Sequence, residues 1–256
     1  MSVRGDKLQR RTRLASADLR AAWVDHAGKW VEWARAPGHD SYSMFHRDLF
    51  LPLLPPPGRK TLDLGCGEGR LSHDLTRLGH TVVGIDRSPV MVEAARSAHP
   101  GVAFEEADAA ALPFADASFD CVVAFMSLQD TDDLDAVIGE CGRVLSIGGW
   151  LCFAVIHPVN SAGAFAEQTA DAPFIIEGSY LDDSFYEDSV ARDGLAMTFA
   201  SKHRPLQRYA EALADAGFLI ERIREPAVPA DELGLERARR WRRLPLFLHC
   251  RAVKPR

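Results

Sequence analysis

From residue 61 to residue 156, short apolar runs alternate with amphipathic segments. The apolar runs have the length of buried strands, and the segments between them repeat apolar residues with helical spacing. The predicted strands are Thr61–Leu64, Thr81–Ile85, Val102–Glu105, Phe119–Phe125 and Trp150–Ile156. The predicted helices are Glu68–Leu78, Ser88–Ala98 and Asp133–Leu145. This alternation predicts a parallel sheet with helices on both faces.

The pattern before residue 58 is different. Residues 1–13 carry five basic side chains and little that could be buried, which predicts a frayed tail. The segment Ala15–Ala36 places its tryptophans on one face of a predicted helix. A second helix is predicted over Tyr42–Leu54, where a run of prolines follows.

After residue 156 the alternation stops. Residues 161–200 hold eight acids, one arginine and interleaved aromatic residues. This composition predicts a cap whose aromatic side chains face a pocket and whose acids face water. Further on, Tyr209–Ala216 predicts a helix, and Phe218–Ile223 and Leu246–Val253 predict strands. Since the connection between these two strands is not of the strand–helix–strand type, they are predicted to form an antiparallel edge pair.

Four regions follow from these patterns. Residues 1–57 are predicted to form a helical lid, and residues 58–156 the core. Residues 157–204 form the cap insertion after the fifth strand, and residues 205–256 complete the sheet. The predicted fold class is α/β: a doubly wound, seven-stranded sheet with an antiparallel edge pair, N-terminal helices and a cap insertion.

Composition narrows the functional classes. The 256 residues include 30 basic and 36 acidic side chains, a net charge of −6, so a chain-wide basic surface for nucleic acid or membrane is not expected. No apolar run reaches the ~18 residues of a membrane span, and no apolar segment typical of a secretory signal begins the chain. Five cysteines without a CxxC motif disfavour a disulfide framework. A soluble cytoplasmic protein is predicted.

The first predicted strand ends in a glycine-rich turn that carries the functional argument. The sequence from Asp63 to Arg70 is Asp-Leu-Gly-Cys-Gly-Glu-Gly-Arg. Glycines here let the backbone bend sharply and approach a ligand, and the following helix directs free N–H groups towards it. A dinucleotide motif would have a third glycine where Arg70 stands. The carboxylate of Asp63 suits a ligand that bears an ammonium group, which predicts an amino-acid-bearing nucleoside.

The next two strands end in acids that suit the same ligand. Asp86 ends the second strand, about 20 residues after the glycines, where a carboxylate can accept both ribose hydroxyl protons. Asp108 follows the third strand and could accept a hydrogen bond from an adenine amino group. The ribose acid alone would also suit a nicotinamide cofactor, so a dehydrogenase stays an alternative.

In order, these motifs resemble the class I S-adenosylmethionine-dependent methyltransferases of the small-molecule type, similar to enzymes of ubiquinone and menaquinone biosynthesis. The matching segments are Leu62–Arg70, Gly84–Asp86, Ala107–Phe114, Ser118–Val123 and Arg143–Leu151, and they span roughly residues 58–156. The resemblance implies a Rossmann-like fold, S-adenosyl-L-methionine as cofactor and methyl transfer to a small, partly apolar metabolite. Whether oxygen, nitrogen or carbon is methylated stays open.

The resemblance also implies a set of cofactor-binding residues. Asp86 would bind the ribose hydroxyls, Arg87 would lie beside the ribose or adenine, and Asp108 with the Ala109 backbone would bind the adenine. The residues implied near the methionine part are Asp63 at the ammonium, Gly65, Cys66 and Gly67 along the chain, Phe125 and Met126 beside the sulfonium, and Arg70 and Tyr42 at the carboxylate and lid.

The remaining candidates are less specific. His157 and His203 flank the cap and are candidate general bases, or else structural residues at element ends. The acids between Asp130 and Asp135 complement a helix N-terminus, so no metal is predicted. The basic segment Arg237–Arg243 leaves an RNA or protein methyltransferase as the alternative function, against which the acidic cap counts. A binding protein without turnover is a further alternative. The predicted partner is a small-molecule substrate, without nucleic acid or membrane, for a monomer or homodimer.

Overall fold

A computed structural model describes residues 10–176, 178–227 and 239–256. In those ranges the strands are β1 (Arg10–Leu14), β2 (Thr61–Leu64), β3 (Val82–Asp86), β4 (Ala103–Glu106), β5 (Phe119–Phe125), β6 (Leu145–Ile156), β7 (Gly163–Phe165), β8 (Phe174–Ile176), β9 (Ser184–Arg192), β10 (Leu195–His203), β11 (Leu219–Arg224) and β12 (Phe247–Val253). The α-helices are α1 (Leu19–Arg35), α2 (Arg47–Phe50), α3 (Arg70–Arg77), α4 (Pro89–Ala98), α5 (Leu134–Val144), α6 (Pro158–Ala162) and α7 (Leu206–Asp215).

The central sheet has seven strands in the order β11-β12-β6-β5-β2-β3-β4. Strands β2 to β6 pair in parallel, whereas β12 runs antiparallel to both β6 and β11. The predicted doubly wound sheet with an antiparallel edge pair is therefore confirmed. From β2 the chain first adds β3 and β4 on one side and then β5 and β6 on the other. Ligands of such sheets bind where the order reverses, at the carboxyl ends of β2 and β5.

Both faces of the sheet are covered, because successive residues of the inner strands point to opposite sides. On β5, Val122 and Ala124 pack in one hydrophobic cluster with α5 and α7. Their neighbours Cys121 and Val123 pack in the other cluster, with α3 and α2. This two-sided burial explains why the inner strands read as continuous apolar runs.

A second, three-stranded antiparallel sheet has the order β1-β9-β10. The prediction of a frayed tail over residues 1–13 is therefore wrong for its last residues, since Arg10–Leu14 form β1; residues 1–9 lie outside the described ranges. The Arg11 guanidinium donates to both carboxylate oxygens of Asp188 on β9, at 3.0 and 2.6 Å. A basic side chain thus stabilises this strand through a partner 177 positions away.

Helix α1 joins the two sheets. It begins after Asp18, whose side chain accepts a hydrogen bond from the Ala21 N–H. The Trp23 indole donates to the Ala200 carbonyl of β10 at 2.9 Å. Trp30 also packs edge-on against Phe199, with ring centroids 5.9 Å apart. The predicted aromatic face of this helix is confirmed, and β10 is what it covers.

The segment predicted as one helix over Tyr42–Leu54 is helical in three parts. A π-helical turn over Tyr42–His46 leads into α2, and a 3₁₀ turn over Leu51–Leu53 follows. Pro52 has no N–H to donate, so the regular α-helical pattern ends there.

Within the described ranges, no helix has the length and apolar character needed to cross a membrane.

Candidate functional site

A cavity of about 360 Å³ opens at the carboxyl ends of β2, β3 and β5. Gly65 and Asp86 line its sheet side, and Trp30 of α1 and Phe199 of β10 line the side opposite. The cavity therefore lies at the reversal point of the strand order, between the parallel core and the smaller sheet.

The glycine-rich turn after β2 forms the floor of this cavity. Gly65 has a φ of +75° and Gly67 a φ of +55°, which non-glycine residues rarely adopt. A Cβ atom at Gly65 would lie 2.5 Å from the Cβ of Ser127, so the close approach of two loops also requires glycine. The Ser127 hydroxyl donates to the Leu64 carbonyl at 2.7 Å and holds those loops together. At Gly65 and Gly67 the turn thereby presents backbone, with no side chain, to the cavity.

Asp86 is held by the backbone of the turn. One of its carboxylate oxygens accepts from the Gly67 N–H at 3.0 Å, and the other from the Ser88 N–H at 2.9 Å. Burial raises the pKa of this carboxyl, although these hydrogen bonds favour its ionised form. Each oxygen keeps a further lone pair, so the carboxylate can accept two more hydrogen bonds from adjacent hydroxyl groups.

Asp63 is the most deeply buried acid of the site. It accepts a hydrogen bond from the Ser72 hydroxyl at 2.5 Å. Burial, together with the charges of the nearby Glu68 and Asp86, raises its pKa to about 7 against the lowering effect of the Ser72 hydrogen bond. The ion pairs of the described residues give Asp63 no cationic partner. A cationic group in the cavity would therefore stabilise the ionised carboxylate.

Arg70, at the start of α3, lines the cavity and has one N–H donor group without a hydrogen-bond partner. Its guanidinium pairs with Glu68 at 2.6 Å and also with Asp40. It lies over the Trp30 ring, 5.4 Å from the centroid. One nitrogen, Nη2, is buried without a hydrogen-bond partner. A ligand carboxylate would satisfy it, because guanidinium groups bind carboxylates in two-point fashion.

The structure brings most of the predicted cofactor residues together. Those that line the cavity are Tyr42, Asp63, Gly65, Cys66, Gly67, Arg70, Asp86, Arg87, Ala109, Phe125 and Met126. Asp108 does not line it: its carboxylate accepts from the Ala110 N–H at 3.0 Å and faces Arg87 at 3.9 Å. The individual role of each residue stays a prediction.

The two predicted general bases lie elsewhere. His157 does not line the cavity; its Nδ1 accepts from the Val159 N–H and its Nε2 lies 2.8 Å from a Glu225 oxygen. His203 is fully buried, with Ser161 on one ring nitrogen and the Tyr180 carbonyl on the other. Burial lowers the pKa of both imidazoles. The geometry therefore gives both histidines structural hydrogen bonds and no contact with the cavity.

Several residues on the opposite side of the cavity were not predicted as site residues, among them Trp23, Asp130, Asp188 and Ser201. One signal was present: Asp193-Gly194 lies between two alternating segments, and its positive φ values form the tight turn of the β9–β10 hairpin. That hairpin places Asp188 opposite Phe199.

The prediction that the acids of the cap face water is wrong for Asp188, which is buried and lines the cavity. Arg11 makes this burial possible by neutralising the carboxylate. The prediction that aromatic side chains face the pocket holds for Phe199, whereas Phe165 packs against Trp241 instead.

The acids between residues 130 and 135 go to separate partners. Asp130 accepts from Ser201, Asp133 caps α5 by accepting from Ala136, and Asp135 pairs with Arg208. In the part of the chain that the structure describes, no group of His, Cys, Asp and Glu side chains is arranged to hold a metal ion.

The basic segment is described from Arg239 onwards, and Arg237 lies outside the described residues. Trp241 packs edge-on against Phe165, with ring centroids 4.9 Å apart. Arg243 donates to the Ala172 carbonyl at 2.7 Å. These contacts attach the described part of the segment to the cap insertion.

Comparisons with known proteins agree with this geometry. Residues 62–153 match a family model described as a methyltransferase domain. The ubiquinone biosynthesis O-methyltransferase of Paracidovorax citrulli is 32% identical over 130 residues, which cover 48% of this chain and 54% of that protein. The demethylmenaquinone methyltransferase of Beutenbergia cavernae is 41% identical over 98 residues, 38% of this chain and 41% of that protein. The matched part of the chain thus spans about half the length of these curated relatives, or less.

Solved structures match more of the chain. An S-adenosylmethionine-dependent methyltransferase from Mesorhizobium loti has a TM-score of 0.66 and 26% identity, covering 80% of this chain and 96% of that one. A protein from Listeria monocytogenes described as a putative enzyme of this kind has a TM-score of 0.67 at 22% identity, covering 91% and 99%. Residues 62–153 therefore form a methyltransferase domain within the fold of the S-adenosylmethionine-dependent methyltransferases, and S-adenosylmethionine is the cofactor that this fold implies for the cavity.

Proposed function

We propose that the protein transfers a methyl group from S-adenosylmethionine to a small, partly apolar metabolite. The observation that carries the proposal is a single cavity with two unlike sides. Acids and glycines at the ends of β2 and β3 form one side, and aromatic residues of α1 and β10 form the other. The first side suits a charged nucleoside, and the second suits an apolar acceptor.

The residues of the sheet side divide the cofactor among them. Asp86 would accept hydrogen bonds from the two ribose hydroxyl groups, because the N–H groups of Gly67 and Ser88 already fix the orientation of its carboxylate. Asp63 would neutralise the ammonium group, and the free Nη2 of Arg70 would bind the carboxylate. Arg87 and the Ala109 backbone would lie at the base, whereas Asp108 does not line the cavity.

When bound, S-adenosylmethionine supplies a methyl group on a positively charged sulfur. Phe125 and Met126, at the end of β5, would lie beside it and exclude water. Met126, directly after β5, has a φ of +52°, so the backbone leaves the extended conformation of the strand at this residue. Because this displacement has a good leaving group, alignment of the reacting atoms is the main requirement, and it can contribute ~7–11 kcal/mol.

The activities for which the relatives are named favour a small-molecule acceptor. These relatives are a ubiquinone biosynthesis O-methyltransferase, a demethylmenaquinone methyltransferase and a malonyl-[acyl-carrier protein] O-methyltransferase of Erwinia billingiae. The RNA or protein alternative has less support, because Trp241 and Arg243 of the basic segment contact the cap insertion. A cytoplasmic location and a monomer or homodimer stay predictions.

Calorimetric titration with S-adenosylmethionine and with its demethylated product, S-adenosylhomocysteine, tests the proposal. We expect both to bind, and we expect Asp86→Asn to weaken both while the surface variant Asp135→Asn binds as the wild type does. Transfer of a labelled methyl group to pooled small metabolites then tests turnover. Failure to bind either nucleoside, together with uptake of a nicotinamide cofactor, would contradict the proposal.

A further inference from the structure

Asp130 lies on the substrate side of the cavity, in the turn that follows β5. Part of its surface faces the cavity, which Ser201, Phe199 and Trp23 also line. Phe199 and Ser201 stand two positions apart on β10 and so share one face of that strand. This carboxyl is therefore displayed beside aromatic rings, where an acceptor molecule would bind.

The carboxyl of Asp130 has capacity for another donor. One oxygen accepts from the Ser201 hydroxyl at 2.6 Å. The other receives only a long contact of 3.4 Å from the Gln129 amide, which bonds better to the Met126 carbonyl at 2.7 Å. Among the described residues, no basic side chain lies within ion-pairing distance of Asp130. The second oxygen is thus open to a donor from a bound molecule.

The charges around the cavity favour a cationic molecule at this point. Both basic residues that line it have acidic partners: Arg70 pairs with Asp40 and Glu68, and Arg87 lies 3.9 Å from Asp108 and 3.8 Å from Asp132. On the substrate side, the carboxylate of Asp188 is already neutralised by Arg11. Asp130 has no ion pair among the described residues, and the charge of Arg204 acts on it only from a longer distance. Aromatic rings attract ammonium groups through their π faces, so the walls favour the same charge.

We propose that the acceptor is a small amine and that Asp130 binds its nitrogen and takes its proton. The inference rests on the proposed methyltransferase function and names its substrate class. An ammonium ion has no lone pair with which to attack, so one proton passes first from nitrogen to the Asp130 carboxylate. The nitrogen lone pair then forms the bond to the methyl carbon while the carbon–sulfur bond breaks. The electron pair of the broken bond stays on sulfur. The products are an N-methylammonium ion and a neutral thioether, and Asp130 releases its proton to water.

The environment of Asp130 suits this proton transfer. Burial raises its pKa, the Ser201 hydroxyl and the charge of Arg204 lower it, and the net value is about 8. Its pKa therefore comes nearer to the ~10.4 of an alkylammonium group than an ordinary carboxyl at ~3.9 would. The other titratable groups that sense its charge are Tyr186 and Tyr209, whose own pKa values burial raises. Both tyrosines therefore stay neutral where Asp130 titrates.

Arg204 is the positioning residue for this carboxyl. Its buried guanidinium donates to the carbonyls of Leu128, Thr131 and Asp132, at 3.3, 2.5 and 3.3 Å. These hydrogen bonds fix the turn on both sides of Asp130. The acid is thus held by the backbone while its side chain remains available to the cavity.

The experiment is calorimetric titration of the full chain, saturated with S-adenosylhomocysteine, with pairs of probes that differ only in the polar group. Suitable probes are phenethylamine with 2-phenylethanol, tryptamine with tryptophol, and hexylamine with hexanol. We expect at least one amine to bind at least tenfold more tightly than its alcohol. Asp130→Asn should abolish that preference, while Asp135→Asn, in the same run of acids, should keep it.

The pH dependence gives a readout that a structural role would not move. Because the ammonium ion binds the ionised carboxylate, amine affinity should fall about tenfold for each pH unit below 8. Ser201→Ala should raise the pH at which this fall begins, because it removes a donor that favours the ionised form.

The possible failures are distinguishable. If S-adenosylhomocysteine itself does not bind, the methyltransferase function is contradicted. If it binds and no amine does, or if the alcohols bind as tightly as the amines, the amine assignment is overturned. Retention of the amine preference in Asp130→Asn, with intact S-adenosylhomocysteine binding as the check on folding, removes Asp130 from the role.

Discussion

The cavity has two halves that the chain builds in opposite ways. Most of the cofactor half comes from the consecutive ends of β2, β3 and β4, between Asp63 and Ala109, and much of it is backbone; Tyr42, Phe125 and Met126 complete it. The substrate half depends on side chains from distant parts of the sequence. Arg11 and Asp188, for example, pair across 177 positions. One half is therefore set by the order of strands and the other by long-range contacts.

This difference has a consequence for specificity. Backbone N–H groups and glycine φ angles belong to the fold, so the cofactor half can change little without loss of the sheet edge. The substrate half depends on single side chains such as Phe199 and Ser201, which can be exchanged without altering the strand order. Acceptor choice is thus separable from cofactor binding, and the following predictions test that separation.

The largest effect is expected from Arg11→Met. It removes the Arg11 guanidinium from the buried Asp188 carboxylate, and loss of one partner of a buried ion pair typically costs ~3–5 kcal/mol. We expect the β9–β10 amides to exchange hydrogen much faster, while the amides of β2 and β5 keep their protection. Native-state hydrogen exchange measures both. Arg59→Met, which breaks the exposed pair with Asp120, is the control and should change the free energy of unfolding by ~0–1 kcal/mol. Equal loss of protection in both sheets would contradict the separation.

In the cofactor half, Gly65→Ala should have the next largest effect. The substitution combines a positive φ with a Cβ that would meet Ser127 at 2.5 Å. We expect a loss of S-adenosylhomocysteine affinity on the order of 100-fold, ~2.8 kcal/mol. Gly148→Ala is the matched control: it has a φ of +81° but no atom within 4 Å of the added Cβ. That variant should lose ~1–2 kcal/mol of stability and no affinity. If both variants bind equally well, the close approach at Gly65 is not what shapes the site.

The same contrast explains what the sequence could predict. A glycine turn after a strand and an acid about 20 residues later lie within one local repeat, so Gly65 and Asp86 were predictable from spacing and from the family resemblance. The doubly wound parallel sheet followed from the alternation of apolar runs, since right-handed crossovers leave few arrangements.

The substrate half was not predictable in this way. Nothing near Arg11 in the sequence indicates that its partner is Asp188, and a basic stretch at a chain end is typical of an unstructured tail. Asp130 lies in a run of acids whose neighbours Asp133 and Asp135 serve a helix end. Only the packing of β10 against the turn after β5 separates Asp130 from them. His157 and His203 were singled out by residue type, and burial among structural partners could not be read from the sequence.

Asp63→Asn should reduce cofactor affinity less than Gly65→Ala does, by on the order of tenfold or slightly more, as for a hydrogen bond to a charged group. Burial raises the pKa of Asp63 to about 7. Wild-type affinity should therefore fall as pH decreases through 7, because protonation removes the charge that pairs with the ammonium group. The Asn variant should lack this dependence, and Asp135→Asn should retain it. Titrations of S-adenosylhomocysteine between pH 5.5 and 8.5, at ~0.5-unit steps, measure it.

Without cofactor, the free energy of unfolding should change with pH in the direction opposite to the cofactor affinity: it should fall as pH rises. Since the pKa of Asp63 is raised by folding, the stability it contributes is present at low pH and is lost as pH rises through about 7. Asp63→Asn should then unfold at a higher urea concentration than the wild type at pH 8, and at a similar one near pH 4. A variant that is less stable at pH 8 would show that the buried carboxylate is held by a partner that we have not identified.

The smallest effect is expected where the two halves meet, at Trp30. Its ring lies under the Arg70 guanidinium and packs against Phe199, and its indole nitrogen would lie 3.5 Å from a Cβ at Gly67. Trp30→Phe keeps the apolar contact and weakens the attraction for the guanidinium, typically by ~0.5–1 kcal/mol. We expect S-adenosylhomocysteine affinity to fall about two- to fivefold, whereas Trp150→Phe, beside Cys121 at the opposite end of β5 from the cavity, should not change it.

Trp30→Phe also tests whether the two halves of the cavity bind their ligands independently. If the halves act independently, Trp30→Phe leaves the affinity for an amine probe the same with and without S-adenosylhomocysteine. If Trp30 couples them, the wild type binds the amine more tightly once the nucleoside is present, and the variant loses that gain. Linkage requires the same factor in reverse, so the nucleoside must also bind more tightly when the amine is present. A gain that persists in Trp30→Phe would place the coupling in another contact between α1 and β10, such as the Trp23 hydrogen bond to Ala200.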